Sequence, residues 1–496
     1  MTRLAHRFSY EEAAARLQRL ERAEVNVPIA GRLNVGLVFP GPYGMGMSNL
    51  GFLTVHRLTG TVPGIGVERF FPELTAGQPL TPPFYSFETR RPLGDFDLLA
   101  FSISFEGDFD RLPGLLKALG IPLRAADRRP GRFPLLVVGG AGVAANPAAL
   151  SRLADLVVTG EAETIWPGLL ARLLAEGPVA AAAADLPGVW APAHRPAPPA
   201  SPPPHDVARA PAYAHLVTPA NAFGGAHLIE VMRGCPRHCV FCLARVIYHP
   251  PRAVPAATFA AWLAGRPWID DLGLIAPSLF DHPELEELLA ICAERGLRLR
   301  NSSVKWERLT DSVLTLLHRC GVKGLTLAPE SGSAEIRRRM GKPLREEAFF
   351  ATMERIGAHG FTHLKLYFLV GFPGETDADL EATAEFLERA AGTAQRTGLT
   401  LTAAFGGFVP KQGTPAAREG CAGAAELKRR FHWLKRRVKA AAPRLQVRFD
   451  SPDQIARQAF LAQVGPELVD HYLKEEARCP VMRGSPIRGE SPELDV

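Results

Sequence analysis

Three cysteines crowd into eight residues of this chain: RGCPRHCVFC places thiols at positions 235, 239 and 242. Thiolate is the soft donor that iron–sulfur clusters take, and three of them on one loop can hold three corners of a cubane. The fourth corner is then open for a small molecule to chelate. A structural zinc normally takes four protein ligands, and no second Cys or His pair follows at ribbon spacing. His238, set between two of the cysteines, is badly placed to share their metal. The other cysteines are scattered: Cys292 and Cys320 fall in helical patterns and read as core, Cys421 and Cys479 in later loops. Seven cysteines in 496 residues make no disulfide framework and point to metal chemistry in a reducing, cytoplasmic setting.

The elements that position the cysteine loop belong to the second of two alternating strand–helix series. Its strand candidates are 227–231, 272–275, 297–302, 324–327, 363–370 and 399–404. Helical patterns lie between them, so the expectation is a partial parallel (β/α)6 barrel, with chemistry at the carboxyl ends of its strands. The first series, residues 25–188, has short apolar runs at 33–39, 98–104, 135–138 and 156–159. Nearly continuous apolar strands separated by helices predict an α/β, doubly wound parallel sheet. Two of these runs end in glycine-rich turns, PGPYGMGMSNLG and GGAGVAANP. Such turns let backbone approach a ligand, or are simply tight.

Before the first series, residues 1–24 read as an N-terminal helix, with Ser9 and Glu12 as a capping box. Residues 189–222 are Pro- and Ala-rich and read as a linker to the barrel at 223–415; a C-terminal region, 416–496, carries a basic helix and a polar tail. No stretch reads as a membrane span or a secretory signal. The composition, 47% hydrophobic and 22% charged with net charge +6, permits an anionic partner without requiring one.

CxxxCxxC with an aromatic residue, Phe241, before its last cysteine resembles the signature of the radical S-adenosylmethionine (SAM) superfamily. APESGSAEIRRRMGK (328–342) is similar to that family's fourth-strand motif, LVGFPGET (369–376) to its fifth-strand glycine motif, and FVPKQGTP (408–415) to its sixth-strand segment. The resemblance implies a [4Fe–4S] cluster on Cys235, Cys239 and Cys242. SAM would chelate its open iron and be cleaved by one electron to methionine and a 5′-deoxyadenosyl radical. An electron donor such as flavodoxin or ferredoxin is then needed. Phe241 would pack on adenine, Glu330 and Ser331 would bond ribose or amino groups, Lys342 would pair with the SAM carboxylate, and Gly371 would admit adenine to the fifth strand. The ordinary alternative for Glu330 and Lys342 is an ion pair with each other. One departure stands out. The Gly-Gly-Glu expected after the second strand is replaced by APSLFDH (276–282), where Ser278 or Asp281 would have to take over the SAM amino group.

The N-terminal series resembles the cobalamin-binding-like domain of one branch of the superfamily, carried by SNLGFLTVHRL (48–58), SFETRRPLGDFDLLAFSIS (86–104), VVGGAGVAANP (137–147) and TGEAETIW (159–166). Cobalamin is therefore a candidate cofactor, and methyl transfer a candidate outcome on an unidentified substrate. The lower-ligand motif Asp-x-His-x-x-Gly is missing, because 40–46 contains no histidine. A corrinoid would be bound without a protein imidazole, or the domain keeps the fold alone. Two other functions compete. A tRNA- or ribosome-directed modifier related to methylthiotransferases would want a further cysteine triad, yet the N-terminal series has no cysteine. An iron–sulfur electron carrier or sensor would have no use for SAM contacts. In KRRFHWLKRRVK (428–439) a solvated basic face is favoured over contact with RNA. Cys479 is a candidate catalytic thiol, able to give a hydrogen atom to a substrate radical if the tail folds over the barrel mouth, or else an incidental thiol in a chain end.

Overall fold

Runs of Leu, Val and Phe become strands where the apolar pattern predicts them: Leu33–Val38, Leu98–Ser102, Leu135–Gly139 and Leu156–Val158. Their side chains are buried on both faces, as a sheet covered by helices on both sides requires. The computed structural model describes residues 3–75, 78–79, 84–129, 131–300 and 303–478. The sheet has six strands in the order Ile65–Phe70, Leu33–Val38, Leu98–Ser102, Leu135–Gly139, Leu156–Val158 and Val189–Trp190, all parallel except the last. Strand order reverses beside Leu33–Val38, the switch point of an open doubly wound sheet.

Ile65–Phe70 escaped the apolar pattern because Glu68 and Arg69 sit in it, yet both are only 2% exposed. Arg69 donates to both oxygens of Glu21 at 2.8 Å and to Glu88 at 2.6 Å, and lies over the Phe87 ring. Glu68 accepts from Ser86 and from the backbone and hydroxyl of Thr89. The SFETRRP segment is thus a set of partners for buried charge. The N-terminal helix spans Arg3–Leu20, so Ser9 lies inside it and does not cap it.

The chain divides into two units. The first joins Met1–Asp206 and Ala212–Ile229 to the segment beginning at Val464. Within it the helix Leu468–Arg478 returns to the sheet: Asp470 pairs with Arg124 and Arg152, and the Tyr472 hydroxyl donates to Asp110.

The second unit holds Val207–Pro211 and Glu230–Gln463. Its strands follow in chain order: His227–Glu230 at the unit boundary, Asp271–Ile275, Arg298–Leu299, Gly324–Glu330, His363–Val370 and Thr400–Gly407. The Val231 N–H bonds to Ile275 O at 2.9 Å, and Val304 N–H to Thr326 O at 2.9 Å, linking successive strands. A seventh strand, Gln446–Phe449, adds in parallel beside Thr400–Gly407. It was absent from the predicted six because QVRF is half-exposed and has no continuous apolar run. No described helix is long and apolar enough to cross a membrane.

Candidate functional site

The cysteine loop leaves the first strand of the second unit. Cys235, Cys239 and Cys242 are all half-buried, and the loop turns tightly, with the Cys242 N–H on Cys239 O at 3.3 Å. Among the described residues no three Cys, His, Asp or Glu side chains are gathered into a preformed ion site. The donor chemistry still suits a cluster, since three thiols share one partly exposed loop. Burial raises the Cys239 thiol, while Lys342 and Lys305 pull it toward thiolate.

Two devices hold the loop. Gly341, at φ 70°, lies so close that a Cβ there would sit 2.8 Å from His238 O, and the Val240 N–H bonds to Met340 O at 3.0 Å. The glycine of the fourth-strand motif therefore serves to seat the cysteine loop. Arg237, inside the loop, forms a fork on Asp281 at 2.6 and 3.0 Å, and Lys305 and Ser278 contact the same carboxylate. Burial alone would raise Asp281, but Arg237, Lys305 and Ser278 hold it well below the ordinary carboxylate range. Asp281 and Ser278, expected as SAM contacts, are engaged here in anchoring the loop.

Glu330 closes the fourth strand at a bulge, with φ 68° and 8% exposure. A glutamate in the left-handed region is costly and persists only where its surroundings impose it, which marks functional sites. Burial pushes its carboxyl up against the pull of Lys342, whose Nζ donates to Oε1 at 2.6 Å. The two residues expected on separate polar groups of SAM are thus paired with each other. Ser331 is 1% exposed; its hydroxyl accepts from Ser333 N and faces Thr383. Arg337, unnoticed in the sequence and also 1% exposed, donates to the carbonyls of Ser331 and Gly332. Gly371, at φ 85°, donates its N–H to Glu375 at 2.6 Å, and Glu375 also takes Arg430 of the basic helix. Lys428, Arg429 and Arg437 of that helix pair with Asp453, Asp377 and Glu381. Much of its basic face is structural.

A cavity of about 420 Å³ opens at the carboxyl ends of the fourth to sixth strands. Phe241 and Glu330 line it from the cluster side, with Tyr367, Phe405 and Phe408 from the later strands. Phe241 packs on the cluster of Met340, Phe372 and Phe408. Lys411, Asp450 and Gln458 complete the lining, and sequence reading assigned none of them. Asp450 was hidden because it follows the unforeseen seventh strand. Cys479 lies outside the described residues.

In the first unit, the glycine-rich strand ends close on their own chain. A Cβ on Gly44 would sit 2.6 Å from Ala220 O, and one on Gly140 2.5 Å from Ile103 O. Beside them, Met45 (39%) and Phe105 (50%) stand exposed after adjoining strands.

Two family models match: "Radical SAM proteins, N-terminal" over residues 51–185 and "Radical SAM superfamily" over 229–387. An uncharacterized protein of Methanocaldococcus jannaschii, MJ0966, is 29% identical over 51% of this chain and 55% of its own length. The threonylcarbamoyladenosine tRNA methylthiotransferase MtaB of Thermotoga maritima is 25% identical over 50% of this chain and 59% of its own. The chain therefore spans little more than half the length of these curated relatives. Among solved structures, the radical SAM methyltransferase TsrM of Kitasatospora setae, with cobalamin and a [4Fe–4S] cluster bound, superposes with TM-score 0.53 at 16% identity. It covers 78% of this chain and 77% of its own, and the likeness is one of fold. With a cysteine loop inside the second matched segment and matches on both strand–helix series, the chain belongs to the radical SAM superfamily, whose cofactors are a [4Fe–4S] cluster and SAM.

Proposed function

We propose that the protein is a radical SAM enzyme that acts on an unactivated carbon of a substrate bound in the 420 Å³ cavity. The observation that carries this reading is the placement of Phe241 and Glu330 on one cavity wall, beside the loop of Cys235, Cys239 and Cys242. When bound, the cluster and SAM supply one-electron cleavage of SAM and a hydrogen-abstracting radical. The chain's own work is to hold and to shield. The three cysteines would ligate iron, and Arg237, Asp281 and Lys305 fix their loop. Glu330 and Lys342 would exchange their mutual bond for the polar ends of SAM. Phe241, Phe405 and Phe408 give the cavity apolar walls, and once SAM and substrate fill it these would help keep water from a radical. An electron donor such as flavodoxin or ferredoxin, in a cytoplasmic setting, completes the reading.

Cobalamin-dependent methyl transfer is the favoured outcome. Met45 and Phe105, exposed at adjoining strand ends with no histidine in 40–46, suit a corrinoid held without a protein imidazole. When bound, it would supply a transferable methyl group. Methylthiolation is disfavoured because no cysteine precedes Cys235.

Anaerobic reconstitution followed by dithionite reduction tests the reading. Wild type should hold about four irons and form 5′-deoxyadenosine, on the order of 100-fold above the variant in which all three cysteines are alanine. A triple variant that retained a normal cluster would overturn it.

A further inference from the structure

Asp450 is the first residue after the seventh strand, and its N–H bonds to Phe405 O at 2.9 Å. That bond fixes it at the carboxyl edge of the second unit, where it lines the same cavity as Phe241 and Glu330. Its carboxylate leans over the sixth strand at Gly406, where a Cβ would lie 3.0 Å from Oδ2. Among the described residues this carboxylate makes no hydrogen bond and no ion pair. The contrast with the cavity's other charges is plain: Glu330 is neutralised by Lys342 at 2.6 Å, and Lys411 is engaged elsewhere. Lys365 is the basic residue whose field reaches Asp450, and its ammonium lies over the Tyr367 ring, 4.8 Å from the centroid.

Asp450 is exposed, so water now solvates its carboxylate; a ligand that fills the cavity displaces that water, and a cationic group on the ligand supplies the partner the carboxylate then needs. The aromatic side chains lining the cavity add apolar contact for the body of the same ligand. We propose that Asp450 is a substrate-binding residue that anchors an ammonium group on a substrate with an aromatic or apolar body. The inference rests on reading the cavity as the reaction chamber. It assigns the residue after the seventh strand the task of holding the substrate in the cavity that Phe241 and Glu330 also line. A substrate carrying a carboxylate in that position would be repelled.

The test uses the reconstituted holoprotein and two probes of like shape and opposite charge, phenethylamine and 3-phenylpropionate, with binding measured by equilibrium dialysis at pH 7.5. Wild type should prefer phenethylamine by about fivefold, the factor that one charge pair at an exposed site supplies. Asp450→Asn should abolish the preference, and Asp450→Glu should restore part of it. Equal binding of the two probes, or a preference that survives in Asp450→Asn with a wild-type melting curve, overturns the proposal. 5′-Deoxyadenosine formation by wild type on the same preparation keeps the two claims apart. Its loss with the ammonium preference intact defeats the reaction reading alone, and its presence without the preference defeats the role of Asp450 alone.

Discussion

The two units carry similar sheets and treat their strand ends in opposite ways. In the first, glycines at the carboxyl ends close on their own backbone, and the buried Arg69 and Glu68 find partners within the unit: Arg69 in Glu21 and Glu88, Glu68 in Ser86 and Thr89. In the second, the same edge holds a strained glutamate, a carboxylate without a partner and an open cavity. Strand ends are where ligands bind in both architectures, although one sheet is doubly wound and the other keeps its strands in chain order. What distinguishes this edge of the second unit is that Glu330 and Asp450 both line an open cavity beside the cysteine loop.

The largest effect separating the two should come from Arg69→Met. It leaves Glu21 and Glu88 buried without their cation, which costs about 3–5 kcal/mol of stability. Denaturant titration should record that loss while the folded fraction still assembles a normal cluster spectrum. Loss of the cluster from properly folded protein would show that the first unit shapes the cysteine loop, and the contrast would fail.

Asp281→Asn probes the second unit in the opposite sense. Arg237 and Lys305 lose a charged acceptor, with a cost of about 1–2 kcal/mol. Iron retention through desalting should fall severalfold, because the loop is no longer tied down. Unchanged iron content would make the Asp281 fork incidental.

A milder outcome is expected for Met45→Ser and Phe105→Ser together. If these side chains hold a corrinoid by apolar contact, wild type should keep about one corrinoid through desalting with a base-off spectrum, and the double variant markedly less. No retention by wild type would leave the first unit as a fold without the cofactor.

What the sequence revealed follows from the same contrast. The cluster loop was legible because its chemistry is local: three thiols within eight residues need no tertiary information. Apolar strands were legible from composition, whereas Ile65–Phe70 was not, since Glu68 and Arg69 have partners 18 to 48 residues away. Gln446–Phe449 was missed for lack of an apolar run, and Asp450 with it. The basic helix was read as a solvated face, whereas Lys428, Arg429, Arg430 and Arg437 pair with carboxylates; the link to the fifth-strand glycine motif through Arg430 and Glu375 is long-range and left no mark in the pattern. Ser278 and Asp281 could be nominated for the site but not placed, because Arg237 and Lys305 reach them from other loops.

The smallest effect belongs to Glu375, and its sign is diagnostic. Burial pushes its carboxyl from 4.5 up to about 7, against the pull of the Gly371 N–H and of Arg430, with Asp379 adding a further push upward. A carboxyl that holds its proton more tightly when folded gives stability that is complete below the unfolded pKa. That stability is lost as pH rises from about 4.5 to about 7. Glu375→Gln keeps an acceptor for Gly371 but removes the titration. The melting temperature of the variant minus that of wild type should therefore rise by a few degrees between pH 5 and pH 8. If Arg430 instead dominates, ionised Glu375 is the stabilised form, and the difference should move downward over the same range. That result would mean the basic helix clamps the fifth-strand motif through a true ion pair, as Arg69 clamps Glu21 and Glu88 in the first unit.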